Sequence, residues 1–182
     1  MRAGLGFLSL LITVAIIAVL MLHFLSKEPT VQAPIALADE TAVLNSLRTI
    51  STAQVQFKSA ALKDQDDDYE GEYGTLYELA GITTPAGATA AAFVPFIDQQ
   101  LGMGSKLGYQ FTVYVGESAC VNGTGTDASE SGFFAVAWPD SYGKTGNRSF
   151  CVDQSGTIRG MDIEGDIPDC GAVAGTAPWP PL

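Results

Sequence analysis

The sequence is poor in the residues that most catalytic and zinc sites need. Its 182 residues include one histidine, His23, and three cysteines without a Cys-x-x-Cys spacing. A zinc site built from cysteine and histidine is therefore excluded. A Ser-His-Asp or Cys-His mechanism is excluded as well, because the sole histidine lies in an apolar run. We expect no enzyme.

Basic residues are also scarce. Lys and Arg total 9 against 20 Asp and Glu, which gives a formal net charge of -11 at pH 7. Binding to a polyphosphate needs clustered Lys and Arg, and the sequence contains no such cluster. Nucleic acid is therefore excluded as a partner. The length remaining after an N-terminal segment fits one domain.

The three cysteines, Cys120, Cys151 and Cys170, leave two alternatives open. In an oxidising compartment they would form one disulfide and leave one free thiol, with a pairing that the sequence does not define. Cys151, which follows Phe150 in a strand-like run, fits equally well as a small buried apolar residue.

A long apolar run extends from Phe7 to Leu25, 19 residues in all. As a helix it would be roughly 28 Å long, close to the ~30 Å of bilayer hydrocarbon. We therefore predict a transmembrane helix over 7–25 that crosses a membrane once, with the following domain outside the cytoplasm. The alternative is a secretory signal peptide that is cleaved after Ala36 or Ala38.

The rest of the chain changes from helical to strand periodicity. Prolines predict a linker over residues 26–38, and an amphipathic helix then continues to Lys63, with Asp39 as a suitable N-cap. Four period-two apolar runs predict strands; they cover residues 109–115, 133–138, 148–153 and 157–163. The predicted fold class is α+β, with the long helix packed on an antiparallel sheet of three or four strands within residues 39–170. A Pro-rich tail, 171–182, is predicted to lack regular structure.

This order of segments resembles the type IV pilin and type II secretion pseudopilin superfamily. The run GFLSLLITVAIIAVL is similar to a prepilin anchor helix, and LRTISTAQVQF is similar to the globular half of a pilin helix. The stretch GFFAVAWPDSYGKTGNRSFCVDQSGTIRG is similar to a pilin-like C-terminal sheet. The resemblance implies a pilin-like or pseudopilin-like subunit that passes once through the bacterial inner membrane. Its partners would be the membrane, a prepilin peptidase and other pilin-like subunits or a secretion apparatus.

The resemblance also implies removal of a leader, residues 1–6, by cleavage between Gly6 and Phe7. Cleavage between Gly4 and Leu5 is the alternative register. Family members carry a glutamate at the fifth mature position, where this sequence has Leu11 or, in the other register, Ser9. An amino group buried in a filament core without that carboxylate costs several kcal/mol. We therefore expect a minor subunit, and the alternative is a tethered binding module that forms no filament.

The stretch KDQDDDYEGEYG is the strongest candidate binding site. Its alternating carboxylates resemble the first half of an EF-hand loop. The candidate ligands are Asp64, Asp66, Asp68 and Glu70. Tyr69 stands where an EF-hand needs glycine and Thr75 where it needs glutamate, so an EF-hand is not predicted. A looser Ca²⁺ site and a solvated acidic loop are the two alternatives. No cofactor is required otherwise.

Overall fold

The structure is a computed structural model that describes residues 14, 16–17, 32–85, 88, 94–116, 128–168 and 179–182. The chain divides into two compact units, Met1–Ala33 and Pro34–Leu182. Nearly all described residues belong to the second unit, which contains both the sheet and the acidic loop.

Helix α1 extends from Gln32 to Ser59 and has 28 residues. One side of it is buried at the three- and four-residue steps of an amphipathic helix; this side is formed by Val43, Leu47, Ile50, Ala53 and Phe57. The helix begins at Gln32 and not at the predicted Asp39. Pro34 is tolerated there because it lies in the first turn, where a backbone N–H has no helical partner to lose.

The described chain forms a five-stranded antiparallel sheet with the spatial order β1-β2-β3-β4-β5. The strands are β1 (Ser105–Lys106), β2 (Tyr109–Val115), β3 (Phe133–Pro139), β4 (Ser149–Asp153) and β5 (Ile158–Met161). Buried and half-buried residues alternate along β2, as they do in a strand with one face on the core. The four strands predicted from period-two runs are confirmed to within two residues at each end, and β1 is an addition.

Three short helices lie between these elements in the described part of the chain: α2 (Leu76–Leu79), α3 (Gln99–Gly102) and α4 (Ala128–Ser131). α2 begins with a capping box, in which Thr75 Oγ1 accepts from the Glu78 N–H at 3.3 Å and the Glu78 carboxylate accepts from the Thr75 N–H at 2.7 Å. Between β4 and β5, Gly156 has a φ of +73° and donates its N–H to Asp153 O at 2.9 Å. This hydrogen bond closes a tight turn over residues 153–156.

The sheet has an apolar cluster on each face. The larger cluster combines the buried side of α1 with side chains of the strands, among them Tyr109, Phe133 and Phe150. The smaller cluster lies around Val136, Cys151 and Trp179, whose strand members alternate with those of the larger one. Trp179 belongs to the tail that is predicted to lack regular structure. Of this tail the structure describes residues 179–182, which form an isolated bridge to β5 and no strand.

The predicted fold class is wrong as stated. It has a transmembrane helix, then a long amphipathic helix packed on three or four strands, whereas the described chain has five strands and few helices. The close backbone contacts join neighbouring strands, α2 with α3, and α3 with β1. Packing of α1 along the sheet is not shown. α1 contributes apolar side chains to the larger cluster instead. The extra strand β1 has only two residues, which is too short to leave a periodic signal.

The predicted location, a single pass through the bacterial inner membrane, is also wrong. In the described part of the chain, no helix combines the length and the apolar character needed to cross a membrane. α1 has the length, but it carries charged residues such as Glu40 and Arg48, and charges at bilayer depth are costly. The predicted transmembrane segment lies outside the described residues except for Val14, Ile16 and Ile17.

Gln54 is a polar residue on the buried side of α1 and has no solvent exposure. Its Nε2 donates to Gly74 O at 2.6 Å, and its Oε1 accepts from the Gly74 N–H at 2.9 Å. We expect Gln54→Leu to lower the free energy of unfolding by about 1–3 kcal/mol, because both Gly74 groups then lose a partner in the interior. Urea unfolding followed by circular dichroism measures this change. Gln56→Leu, at an exposed position of the same helix, is the control, and equal effects of the two variants would contradict the assignment.

Candidate metal centre in the acidic loop

The acidic loop, residues 64–70, follows α1 and brings its alternating aspartates together. One carboxylate oxygen from each of Asp64, Asp66 and Asp68 lies within 4.8 Å of the other two. A second group with the same spacing consists of Asp68, Glu70 and Glu130. The four ligands predicted from the sequence therefore fall into two overlapping groups, and Glu130 joins them from α4.

Hydrogen bonds from the backbone to the aspartates shape this loop. Asp64 Oδ1 accepts from the Asp67 N–H at 2.8 Å, and Asp64 Oδ2 accepts from the Tyr69 N–H at 3.1 Å. Asp68 Oδ1 accepts from the Glu70 N–H at 2.7 Å. Asp67 and Tyr69 have φ angles of 63° and 74°, which lie in the left-handed region of backbone conformation. The backbone hydrogen bonds and these two residues together give the loop its compact conformation.

A buried carboxylate, Glu72, closes the loop. Its side chain has no solvent exposure. Glu72 Oε1 accepts from the Gln65 N–H at 2.8 Å, and Oε2 accepts from Gln65 Nε2 at 2.7 Å. Lys63 Nζ lies 3.2 Å from Oε2, and Ser129 Oγ donates to the same oxygen. Glu72 thus joins both ends of the loop to α4, and this places Glu130 beside the aspartates.

The Glu72 carboxylate stays charged at neutral pH although it is buried. Burial by itself raises its pKa, but the hydrogen bonds from Ser129 and Gln65 and the Lys63 ammonium outweigh burial. The pKa of Glu72 therefore lies below the ordinary value of 4.5. A buried charge is tolerated only while its donors stay in place, so the loop has one strongly preferred conformation.

Glu70, the fourth predicted ligand, already has a cation beside it. Lys58 Nζ lies 3.1 Å from Glu70 Oε1 and donates to Glu130 O at 2.6 Å. The same ammonium lies 5.3 Å from the centre of the Tyr73 ring. A metal ion at Glu70 would have to compete with Lys58. The group formed by the three aspartates is therefore the better metal site.

The oxygen-only ligand set of this group suits a hard cation. Ca²⁺ takes carboxylate oxygens at about 2.3–2.6 Å, so two of its ligands lie at most ~5 Å apart. The aspartate oxygens, within 4.8 Å of one another, satisfy that limit. Zn²⁺ favours cysteine and histidine ligands, and the loop contains neither. The spacing and chemistry of these oxygens are therefore compatible with a Ca²⁺ site whose remaining ligands are water.

Of the other residues singled out as candidate sites in the sequence, the structure describes Cys151. Cys151 is a buried free thiol, and burial raises its pKa to about 12. Several candidates lie outside the described residues, namely Gly4, Leu5, Gly6, Phe7, Cys120 and Cys170. In the described part of the chain, the carboxylates of residues 162–166 do not form a group of three with oxygens close together. The two such groups consist of residues of the acidic loop and Glu130.

Sequence reasoning missed Glu130 and Ser129. Ser129 is 57 residues from Glu72 along the chain, and no periodicity or motif links the two. The stretch ASES is polar and short, so it reads as surface loop and not as a helix. Only the tertiary fold brings these residues to the loop.

We expect Glu72→Gln to lower the free energy of unfolding at pH 7 by about 1–3 kcal/mol, since charged hydrogen bonds are lost in the interior. The folded-state pKa of Glu72 is depressed, so this contribution is full above 4.5 and disappears as the pH falls through the folded-state pKa. Urea unfolding of both proteins from about pH 7 down to about pH 3 measures it. Glu70→Gln is the exposed control, expected to change stability by less than about 1 kcal/mol. A Glu72→Gln effect that is independent of pH would contradict the charged anchor.

Comparisons with known proteins give no function for this loop. The model of one protein family, described as "Protein of unknown function (DUF2950)", matches residues 99–168. That match covers less than half of the chain and leaves out α1 and the acidic loop. No curated protein and no solved structure matches the chain.

Proposed function

We propose that the domain is a Ca²⁺-binding structural module and that the acidic loop is its binding site. One observation carries this proposal: carboxylate oxygens of Asp64, Asp66 and Asp68 lie within 4.8 Å of one another. The loop that holds them is fixed by the buried Glu72 and not by the ion. Binding therefore needs little reorganisation of the chain, which lowers its entropic cost.

The expected affinity is modest. Two of the three aspartates are exposed, and water supplies the remaining ligands, as in the weaker class of Ca²⁺ sites. Such sites have dissociation constants of about 10⁻⁴–10⁻³ M. Mg²⁺ demands a tighter octahedron and gives up its water reluctantly, so it should bind more weakly than Ca²⁺.

A binding role fits the chemistry of the described residues better than a catalytic one. The sole histidine, His23, lies outside them. The buried polar groups near the loop, Glu72 and Ser129, are hydrogen-bonded to each other. The buried thiol of Cys151 is a poor nucleophile, because burial raises its pKa to about 12.

We expect the triple variant Asp64→Asn, Asp66→Asn, Asp68→Asn to lose Ca²⁺ binding, because amide oxygens carry no charge to offset the dehydration of the ion. Isothermal titration calorimetry of the full chain, after treatment with chelator, measures binding. The control is Asp162→Asn, Glu164→Gln, Asp166→Asn, which changes the net charge equally and lies away from the loop. Equal loss of binding in both variants, or no binding by the wild type at millimolar Ca²⁺, would refute the site.

A second candidate function is that of a minor subunit in a pilin-like or pseudopilin-like assembly. The order of the segments favours it: an apolar run, then the 28-residue helix α1, then a meander of antiparallel strands. An apolar run as long as 7–25 needs apolar surroundings, and the same run of neighbouring subunits could supply them. The missing glutamate, at Leu11 or Ser9, favours a minor subunit over a repeated one.

If a prepilin peptidase acts on the chain, intact mass spectrometry of the protein from its native host should show a mature form that begins at Phe7. Gly6→Ala should block this processing and Gly4→Ala should not; the reverse result would assign the alternative register, before Leu5. A protein that keeps Met1 in all three samples would contradict the assembly proposal and leave the Ca²⁺ proposal untouched.

A further inference from the structure

The outer edge of β2 is only partly covered by β1. The two strands pair at two positions, Ser105 with Gln110 and Lys106 with Tyr109. The Phe111 N–H then donates to Gly104 O at 2.7 Å, which extends the pairing by one residue. We call the part of the edge that follows, formed by Phe111 O and by the N–H and C=O of Val113, the open β2 edge.

The main-chain groups of the open β2 edge point away from β3. In an antiparallel sheet the N–H and C=O of one residue point to the same side of the strand, and those of the next residue point to the other side. Because Phe111 donates towards β1, its C=O and both groups of Val113 point to that side as well. Gly104 donates its own N–H to Leu101 O at 3.0 Å and not to Phe111 O. In the described part of the chain, the three groups therefore have no hydrogen-bond partner.

These unpaired groups belong to buried residues in the wall of a cavity. Phe111 is 3% exposed and Val113 is 6% exposed. Both line a cavity of about 480 Å³, which is a usual size for a ligand site. A Cβ atom on Gly104 would lie 2.9 Å from Phe111 O, so glycine at this position leaves the acceptor uncovered. Nearly all buried main-chain groups in proteins have a partner, so a run of acceptor, donor and acceptor without one indicates a binding site.

An extended peptide is the ligand that matches this run. A peptide residue opposite Val113 in an antiparallel pair would donate its N–H to Val113 O and accept from the Val113 N–H. Addition of a strand to an exposed sheet edge is a recurring mode of peptide recognition. In that mode the main-chain hydrogen bonds give affinity, and pockets for alternate side chains give specificity.

The cavity favours an uncharged side chain. None of the residues that line it is charged, although the whole chain has a formal net charge of -11. Its large side chains include Tyr77, which is 49% exposed, Met103, which is 68% exposed, and the half-buried Trp138. A charged side chain would lose water here without gaining an opposite charge. Charge complementarity therefore favours an apolar side chain in the cavity.

We propose that the open β2 edge and the adjoining cavity bind an extended segment of a partner protein as a strand added in line with β1. An uncharged, apolar side chain of that segment occupies the cavity. This site goes beyond Ca²⁺ binding and does not depend on it, because none of its residues belongs to the acidic loop.

Amide hydrogen exchange of the ¹⁵N-labelled full chain tests the edge without any ligand. The Val113 amide should exchange about tenfold or more faster than the amides of Thr112 and Tyr114, which point towards β3. If Val113 is protected as well as these neighbours, the edge is already covered and the proposal is overturned. Protection of Val113 that rises with protein concentration would assign the edge to a second copy of the chain, which also overturns the proposal.

The binding probe is the capped peptide acetyl-Thr-Thr-Phe-Thr-Thr-amide, titrated into the full chain and followed by two-dimensional NMR. It should shift the amide signals of residues 111–113 and slow hydrogen exchange at Val113. The same peptide with aspartate in place of phenylalanine should bind about tenfold or more weakly, because the cavity offers no opposite charge. A peptide with methyl groups on all its main-chain nitrogens should also bind about tenfold or more weakly, because it cannot donate to the edge.

Two matched variants test the cavity. Met103→Glu should weaken binding of the phenylalanine peptide by about tenfold, because it places a charge beside the apolar ring. Met161→Glu makes the same change at an exposed position of β5, on the opposite edge of the sheet, and should not weaken binding. Equal effects of the two variants, undiminished binding of the methylated peptide, or no shift at residues 111–113 with millimolar peptide would overturn the proposal. Should Met103→Glu not fold by circular dichroism, Tyr77→Ala takes its place.

Discussion

The acidic loop depends on one buried charge. Glu72 has no contact with solvent, and its two oxygens accept hydrogen bonds from Gln65 and Ser129 beside the Lys63 ammonium. Removing any one donor would leave a buried charge only partly satisfied, which costs more than an exposed ion pair contributes. The loop conformation, the position of α4 and the nearness of Glu130 to the aspartates all follow from this constraint. The candidate Ca²⁺ site is thus built by a residue that does not bind the ion.

Two buried polar residues of α1 likewise form hydrogen bonds to other segments of the chain. Gln54 exchanges two hydrogen bonds with the backbone of Gly74. Glu40, 6% exposed, accepts from the backbone N–H groups of Asn147 and Arg148 and pairs with the Arg148 guanidinium at 2.8 Å. Apolar burial is non-directional, whereas these bonds are satisfied in one register only. They therefore define where α1 lies relative to the segments on either side of it.

The sequence predicts local structure well where the periodicity is long. β2 through β5 follow from alternating apolar runs, and the buried side of α1 follows from its helical steps. The two-residue strand β1 is too short to show an alternating pattern. The pairing of Trp179–Leu182 with β5 was not predictable either, because the sequence does not show that β5 is the edge strand of the sheet. The acidic loop is recognisable from Asp64, Asp66 and Asp68, because alternation is a local signal. Its support is not recognisable, because Glu72 reads as one more acid in a charged run and Ser129 and Glu130 are brought in by the tertiary fold.

The central claim is that the loop is already formed before the ion arrives and that Ca²⁺ binds there. A Ca²⁺ titration of the ¹⁵N-labelled full chain, followed by two-dimensional NMR, tests it most directly. The account predicts that the amide signals of residues 64–70 and of Glu130 move together with one apparent affinity, while those of the strands stay in place. Shifts of equal size at residues 162–166, or no shift at residues 64–70, would contradict it.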